Sequence, residues 1–213
     1  MALQPPPPSL AAFPPRSRAR TPTELFRISW AQESTTGAVN SGWRFSSLPP
    51  GYNRFDLPAP RGTCYWSDRR HGAWVEVFRG VTTVDSADAA RRRLFVATPP
   101  PMRLADVLAR RAYSFGVTAE LSTTGDYEGP QRWAAAFARQ GFHGVVGSCR
   151  HDPSSTALNV AVFGVVGTPA KQRGWRVQRR PLAGDTQLLR ELVPFGVRVT
   201  PNPDDVPIIG VPG

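Results

Sequence analysis

Residues 144–165, GVVGSCRHDPSSTALNVAVFGV, open and close on continuous apolar runs, Gly144 to Gly147 and Asn159 to Val165. Small and β-branched residues in runs this short read as strands buried on both faces. Upstream, Pro130 to Gln140 reads as a helix, with proline in its first turn and Gly141 just past its end. Arg103 to Ala112 reads as another helix and Leu94 to Thr98 as a strand; downstream, Trp175 to Gln178 and Val197 to Thr200 are further strand candidates. Toward the N-terminus, LFRISW (Leu25 to Trp30) and GTCYW (Gly62 to Trp66) have strand composition, separated by a long irregular stretch from Ala31 to Arg61. The segment AWVEVF fits either period: a strand would group Trp74, Glu76 and Phe78, a helix Ala73, Glu76, Val77 and Gly80. Ser67 before it as a cap and Gly80 after it as a stop favour a helix from about Asp68 to Arg79. Helices in the middle with strands clustered late predict an α+β (mixed α/β) domain and argue against a doubly wound sheet.

The 213 residues suffice for one medium domain. Pro5 to Pro8, Pro14 and Pro15, and then RSRAR predict a flexible, partly extended tail over residues 1–20. A compact domain is expected over 21–200, followed by a Pro-rich tail over 201–213. No apolar run approaches the ~18 residues of a membrane span, and MALQPPPPSL has neither the basic nor the apolar region of a signal peptide, so the expected location is cytoplasmic, away from membranes. Cys64 and Cys149 are too few for a disulfide scaffold, and no Cys/His spacing matches a metal site.

Lys and Arg number 26 against 16 Asp and Glu, a net charge of +10, and Lys171 is the single lysine. Arginine binds phosphate bidentately, so the balance suits nucleic acid or a phosphorylated small molecule. The chain has no G-x-G opening of a dinucleotide fingerprint and no P-loop around Lys171, which disfavours Rossmann hydride transfer and P-loop phosphoryl transfer. What remains are polar residues in apolar settings: Arg27 in LFRIS, Arg54 in NRFD, Tyr65 in TCYW and Glu76 in WVEVF. Arg54 to Tyr65 and Tyr65 to Glu76 are each eleven residues apart. Buried charge needs a partner, so Arg27 and Glu76 form either a structural ion pair or the wall of a pocket for an anionic ligand.

Taken in order, LFRI, RFD, GTCYW, the glutamate of AWVEVF, GFHGVVGSCRHDP and NVAVFG resemble the RES domain family over about Thr23 to Gly164. The resemblance implies a fold related to ADP-ribosyltransferases and an enzyme that depletes NAD by hydrolysis or phosphorolysis, an NAD glycohydrolase or phosphorylase, with protein ADP-ribosylation as another outcome. It also implies a toxin held by an Xre-like antitoxin, with nucleic acid met only through that partner. On this resemblance Glu76 and Tyr65 are the catalytic candidates, and Arg27, Arg54, Ser148 and Cys149 the residues that bind NAD, with inorganic phosphate as a second ligand. Arg44 in SGWRF rivals Arg54, although the spacing to Tyr65 favours the latter. The family serine, counted from Gly144, falls on Cys149, with Ser148 one residue early. If Cys149 fills that place, strand alternation turns its side chain to the pocket and Ser148 away, and nearby arginines would lower its pKa. Two other readings stand beside this one: a basic nucleic-acid-binding protein, and an inactive RES-like module that binds a partner.

Overall fold

The computed structural model describes residues 3–33, 37–48 and 53–200. Its strands are β1 (Leu25–Trp30), β2 (Ser47–Leu48), β3 (Leu57–Pro58), β4 (Arg61–Ser67), β5 (Thr83–Asp85), β6 (Arg92–Thr98), β7 (Leu104–Asp106), β8 (Gly144–Ser148), β9 (Leu158–Val165), β10 (Arg176–Pro181) and β11 (Arg198–Thr200). The helices are α1 (Arg70–Phe78), α2 (Ser86–Ala90), α3 (Glu120–Thr123), α4 (Glu128–Arg139) and α5 (Thr186–Leu192). Seven strands form one sheet in the order β10-β6-β1-β4-β9-β8-β7, antiparallel except between β7 and β8. The protein is thus α+β, with a mixed sheet whose members come from both halves of the chain.

Alternation along the strands sorts the core into two faces. Phe26 lies opposite both Val96 and Ser67, and Tyr65, Ala161 and Val145 are aligned across β4, β9 and β8, so all of these share one face. Helices cover that face in two separate patches. Around α1 and α5, Trp74, Phe78, Leu188 and Leu192 pack with Phe26, Ile28, Leu94 and Val96. Around α4, Trp133 and Phe137, one helical turn apart, pack with Phe142, Val145 and Phe163. The other face buries Leu25, Cys64, Trp66, Phe95 and Val160 beneath Trp43 and Phe45, which belong to the segment read as irregular. Gly42 allows this cover to lie close: its φ is +86°, and a Cβ there would stand 2.6 Å from the Phe95 ring.

Three sequence expectations need correction. The helix expected over Arg103 to Ala112 is strand β7 followed by a 3-10 turn at Arg110–Phe115. The open edge of β8 takes Leu104–Asp106 as a parallel partner, and that pairing outweighs local helix propensity. Ser67 is the last residue of β4 and not a helix cap; its hydroxyl donates to the Leu158 carbonyl, and α1 starts after Arg69 without a side-chain cap. The segment 1–20, expected to be a flexible tail, packs onto the domain over its described part. Leu10 and Phe13 are each 1% exposed, the Trp133 indole donates to the Gln4 carbonyl, Asp106 N–H donates to the Pro14 carbonyl, and Arg16 pairs with Asp106 at 3.0 Å. Two large apolar side chains among the prolines are enough to hold an extended segment against an aromatic cluster. The tail expected over 201–213 lies outside the described residues.

Phe13 touches the rings of Phe115, Trp133, Phe137 and Phe142. Phe13→Ala is therefore expected to cost about 3–5 kcal/mol, seen as a lower urea midpoint. An unchanged midpoint would show that the N-terminal segment is not part of the folded core.

Candidate functional site

The cleft opens where the sheet comes apart. β4 pairs with β9 from Arg61 to Ser67 and β1 with β6 from Leu25 to Trp30, yet β1 and β4 meet only at Phe26 and Ser67. Beyond that pair the strands diverge, and the backbone groups they would have shared need other partners. Thr63 exchanges both of its backbone bonds with Ser46, and the Tyr65 carbonyl accepts from Arg27 Nη1 at 3.0 Å. Arg27 Nη1 also lies 3.2 Å from Cys64 Sγ. A side-chain guanidinium thus stands in for a strand neighbour and bridges the gap.

The resulting cleft, about 370 Å³, is walled by Phe26, Arg27 and Ile28 of β1, by Tyr65 to Ser67 of β4, and by residues from both faces of the sheet. Among the described residues five arginines line it, namely Arg27, Arg44, Arg54, Arg79 and Arg150, and Glu76 is the single carboxylate. Such a surface favours an anion of more than one charge, leaving one fixed negative group for a centre of opposite sign. Among the described residues no cluster of three His, Cys, Asp or Glu side chains suits a metal ion.

Glu76 reaches the cleft from α1, the helical alternative for AWVEVF, while Trp74 and Phe78 turn to the core. Gly72 brings the helix down onto the sheet, since a Cβ there would collide with Ser67 Oγ and with Ala157 Cβ. Glu76 Oε1 lies 3.0 Å from Cys149 Sγ and accepts from the Arg150 N–H at 3.1 Å. Among the described residues nothing bonds to Oε2, and no ion pair joins Glu76 to Arg27, so the structural pair that the sequence allowed does not form. Ser148, at the end of β8, stands in the cleft wall. Cys149 is on the α1 side, as alternation requires, but it is 3% exposed and touches the carboxylate and the Gly72 carbonyl without lining the cleft. Its pKa moves opposite to the expectation. Burial pushes the thiol up, and Glu76 pushes it further.

Tyr65 and Arg54 are joined through one loop. The Tyr65 hydroxyl donates to Asp56 Oδ1 at 2.9 Å and accepts from the Phe55 N–H at 2.9 Å, so it is already engaged. Asp56 is fully buried and also accepts from the Asn53 backbone and side chain. Tyr65 therefore anchors the turn that carries Arg54. The Arg54 guanidinium donates to the Thr124 carbonyl at 2.6 Å and lies over the Tyr127 ring, 5.1 Å from its centroid. Burial lowers the Arg54 pKa from its ordinary value, and Tyr127 works against that shift. Burial, reinforced by Asp56, raises the Tyr65 phenol well above the ordinary range.

The structure brings Arg27, Arg54, Tyr65, Glu76 and Ser148 to one cleft, and Arg44 joins them there, so Arg44 and Arg54 are not exclusive alternatives. Sequence reasoning missed Arg79, Tyr127, Arg150 and Asn159. Arg150 sits inside the GSCRHDP motif, but its contribution to Glu76 is a backbone N–H, which residue type does not signal. Tyr127 reaches Arg54 only through tertiary folding. Asp152, near Arg150, holds their loop in place by accepting from the Ser154, Thr156 and Ala157 backbones.

Fold and cleft together define an α+β protein with an arginine-lined cleft built across a parted sheet. The model of the RES domain matches residues 24–182, and the chain belongs to the RES domain family. No match is found among curated proteins. Among solved structures the chain is similar in fold to one in the crystal structure of the M. tuberculosis MbcT–MbcA toxin–antitoxin complex, with a TM-score of 0.52 and 16% identity over 78% of this chain and 87% of that one.

Tyr65 yields a prediction with a sign. Its phenol ionises at higher pH in the folded than in the unfolded state, so above about pH 10 the unfolded chain releases a proton that the folded one keeps. Stability from this group is complete below pH 10 and is lost as pH rises. Tyr65→Phe should lower stability by about 1–3 kcal/mol at neutral pH and make its decline above pH 10 shallower. Urea titrations at pH 7 and pH 10.5 check this; parallel declines for both proteins would contradict the assignment.

Proposed function

We propose that this protein consumes NAD by cleaving the bond between nicotinamide and ribose, and that it is the toxin of a toxin–antitoxin pair. The observation that carries the reading is that, among the described residues, Glu76 is the single carboxylate lining the cleft, with Oε2 unbonded, beside five arginines. Membership of the RES family supports the choice of NAD, and the fold shared with a chain of a toxin–antitoxin complex supports the pairing with an antitoxin, proposed to be Xre-like.

The chemistry suits these side chains. The C1–N bond to nicotinamide breaks with its electron pair leaving on the neutral base, and the ribose becomes an oxocarbenium ion. A carboxylate about 3.5 Å away, at an effective dielectric near 20, favours that charge by about 4–5 kcal/mol, roughly a thousandfold in rate. In this reading Arg27 and Arg54 bind the pyrophosphate through paired hydrogen bonds, and the exposed Arg44 and Arg150 stand nearer solvent. The Tyr65 ring and Ser148, both in the cleft wall, would meet the sugar and base. Water as the nucleophile yields ADP-ribose and a proton; phosphate held by the same arginines yields ADP-ribose 1-phosphate. Arg27 Nε and Asn159 Oδ1 are buried without partners, and unused hydrogen-bonding capacity in the wall supports a polar ligand.

Chromatography of NAD incubated with the purified protein, with and without phosphate, tests the reading. Nicotinamide release is expected, and its second product identifies the nucleophile; intact NAD in both samples would sink it. Glu76→Gln should lower turnover at least a hundredfold with little change in melting temperature, because the amide oxygen can still accept from Cys149 and Arg150. Expression without a partner should arrest bacterial growth, and the same substitution should relieve the arrest. Equal toxicity of both forms would point to a general effect of a basic protein.

A further inference from the structure

Cys149 lies beside the cleft, and the proposed reaction does not use its thiol. Two roles are open to it. As a core residue it fills space beside Phe26, Trp74 and Ala157. Its sulfur, however, also lies 3.0 Å from Glu76 Oε1, closer than its 3.9 Å to the Gly72 carbonyl, and the Arg150 N–H reaches the same oxygen at 3.1 Å.

We infer that Cys149 is a positioning residue: its S–H and the Arg150 N–H together grip Oε1 of Glu76 and so fix the plane of the carboxylate with Oε2 toward the cleft. Three observations support this. First, the thiol keeps its proton, since burial and Glu76 both push its pKa up, and a protonated sulfur beside a carboxylate is a donor. Second, both donors come from adjacent residues at the end of β8, where the Cys149 N–H is tied to the Ala157 carbonyl: one is a backbone N–H, and the other sits on a short side chain with a single heavy-atom torsion. Third, the carboxylate is carried by a helix that Gly72 seats against the sheet, and neither side of the contact is free to drift. A carboxylate held by one oxygen presents the other in a constant direction, which matters when the charge it must meet exists only in the transition state. An exposure of only 3% and a raised pKa also make the thiol a poor nucleophile, so it is assigned no covalent step.

This inference rests on reading Glu76 as the carboxylate that faces the sugar, and its test has one arm that does not depend on turnover. In the infrared difference spectrum of full-length protein minus Cys149→Ala, the S–H stretch of Cys149 should lie at the low frequency of a hydrogen-bonded thiol, and Glu76→Gln should move it upward as the acceptor weakens. In the kinetic arm, Cys149→Ala should lower kcat roughly tenfold, the worth of one hydrogen bond to a charged group, with KM changed less than twofold. Cys149→Ser, which keeps a donor, should restore most of kcat even where its melting temperature stays as low as that of the alanine variant. A stretch indifferent to Glu76→Gln overturns the inference, as does full kcat in Cys149→Ala. Should the wild-type protein leave NAD intact, the functional reading fails, while the infrared arm still shows whether the thiol holds the carboxylate.

Discussion

A β-sheet whose two central strands separate must satisfy the backbone groups it exposes, and in this protein that requirement shapes everything around the cleft. β1 and β4 share one residue pair, and past it β4 is bonded by Ser46 at Thr63 and by the Arg27 guanidinium at the Tyr65 carbonyl. Arg27 therefore has two tasks on one side chain. It closes a gap in the sheet's hydrogen bonding and places positive charge inside the opening. Without such substitutes the unpaired carbonyl would favour closure of the strands, and there would be no cleft.

The gap also explains why the face bearing α1 is covered in two patches. The α1 and α5 layer ends at Glu76 and Val77, the α4 layer ends near Tyr127, and the cleft floor of Tyr65, Ser67 and Asn159 lies between them. Among the described residues no helix packs on the opposite face, which is closed by aromatic side chains instead: Trp43 stacks on Phe45 at 5.7 Å, and Trp175 packs against Trp43 and Trp66. Arg44 lies between Trp43 and Phe45 in the sequence, and both of these neighbours are buried, so an exposed arginine is carried on a firmly held backbone. The long irregular segment thus contributes both core and site, which is why it is long.

Charge in the site is unevenly arranged. Arg54 is fixed by the Thr124 carbonyl and by Tyr127, Arg27 by backbone, and Glu76 by Cys149 and Arg150, whereas Arg44 and Arg79 are exposed. The groups closest to the proposed chemistry are those whose orientation is set by neighbours, and the exposed ones supply a field that draws in an anion.

The sequence alone determined the α+β class, the strands at Leu25–Trp30 and around Gly62–Trp66 and the helical reading of AWVEVF, and it singled out Arg27, Arg54, Tyr65, Glu76 and Ser148, which line one cleft, because local periodicity and motif order are written along the chain. It misread Arg103–Ala112 as helix and the N-terminal segment as free, because a strand edge at β8 and an aromatic pocket beside α4 are supplied by residues distant in sequence. It also left Ser148 and Cys149 as rivals for one place. Tertiary structure gave them different ones, with Ser148 in the cleft wall and Cys149 beneath Glu76. Which side chain meets the cleft depends on how far the strand end is covered by α1, and that is fixed by the seating of the helix at Gly72, a contact between elements that no count along the strand can contain.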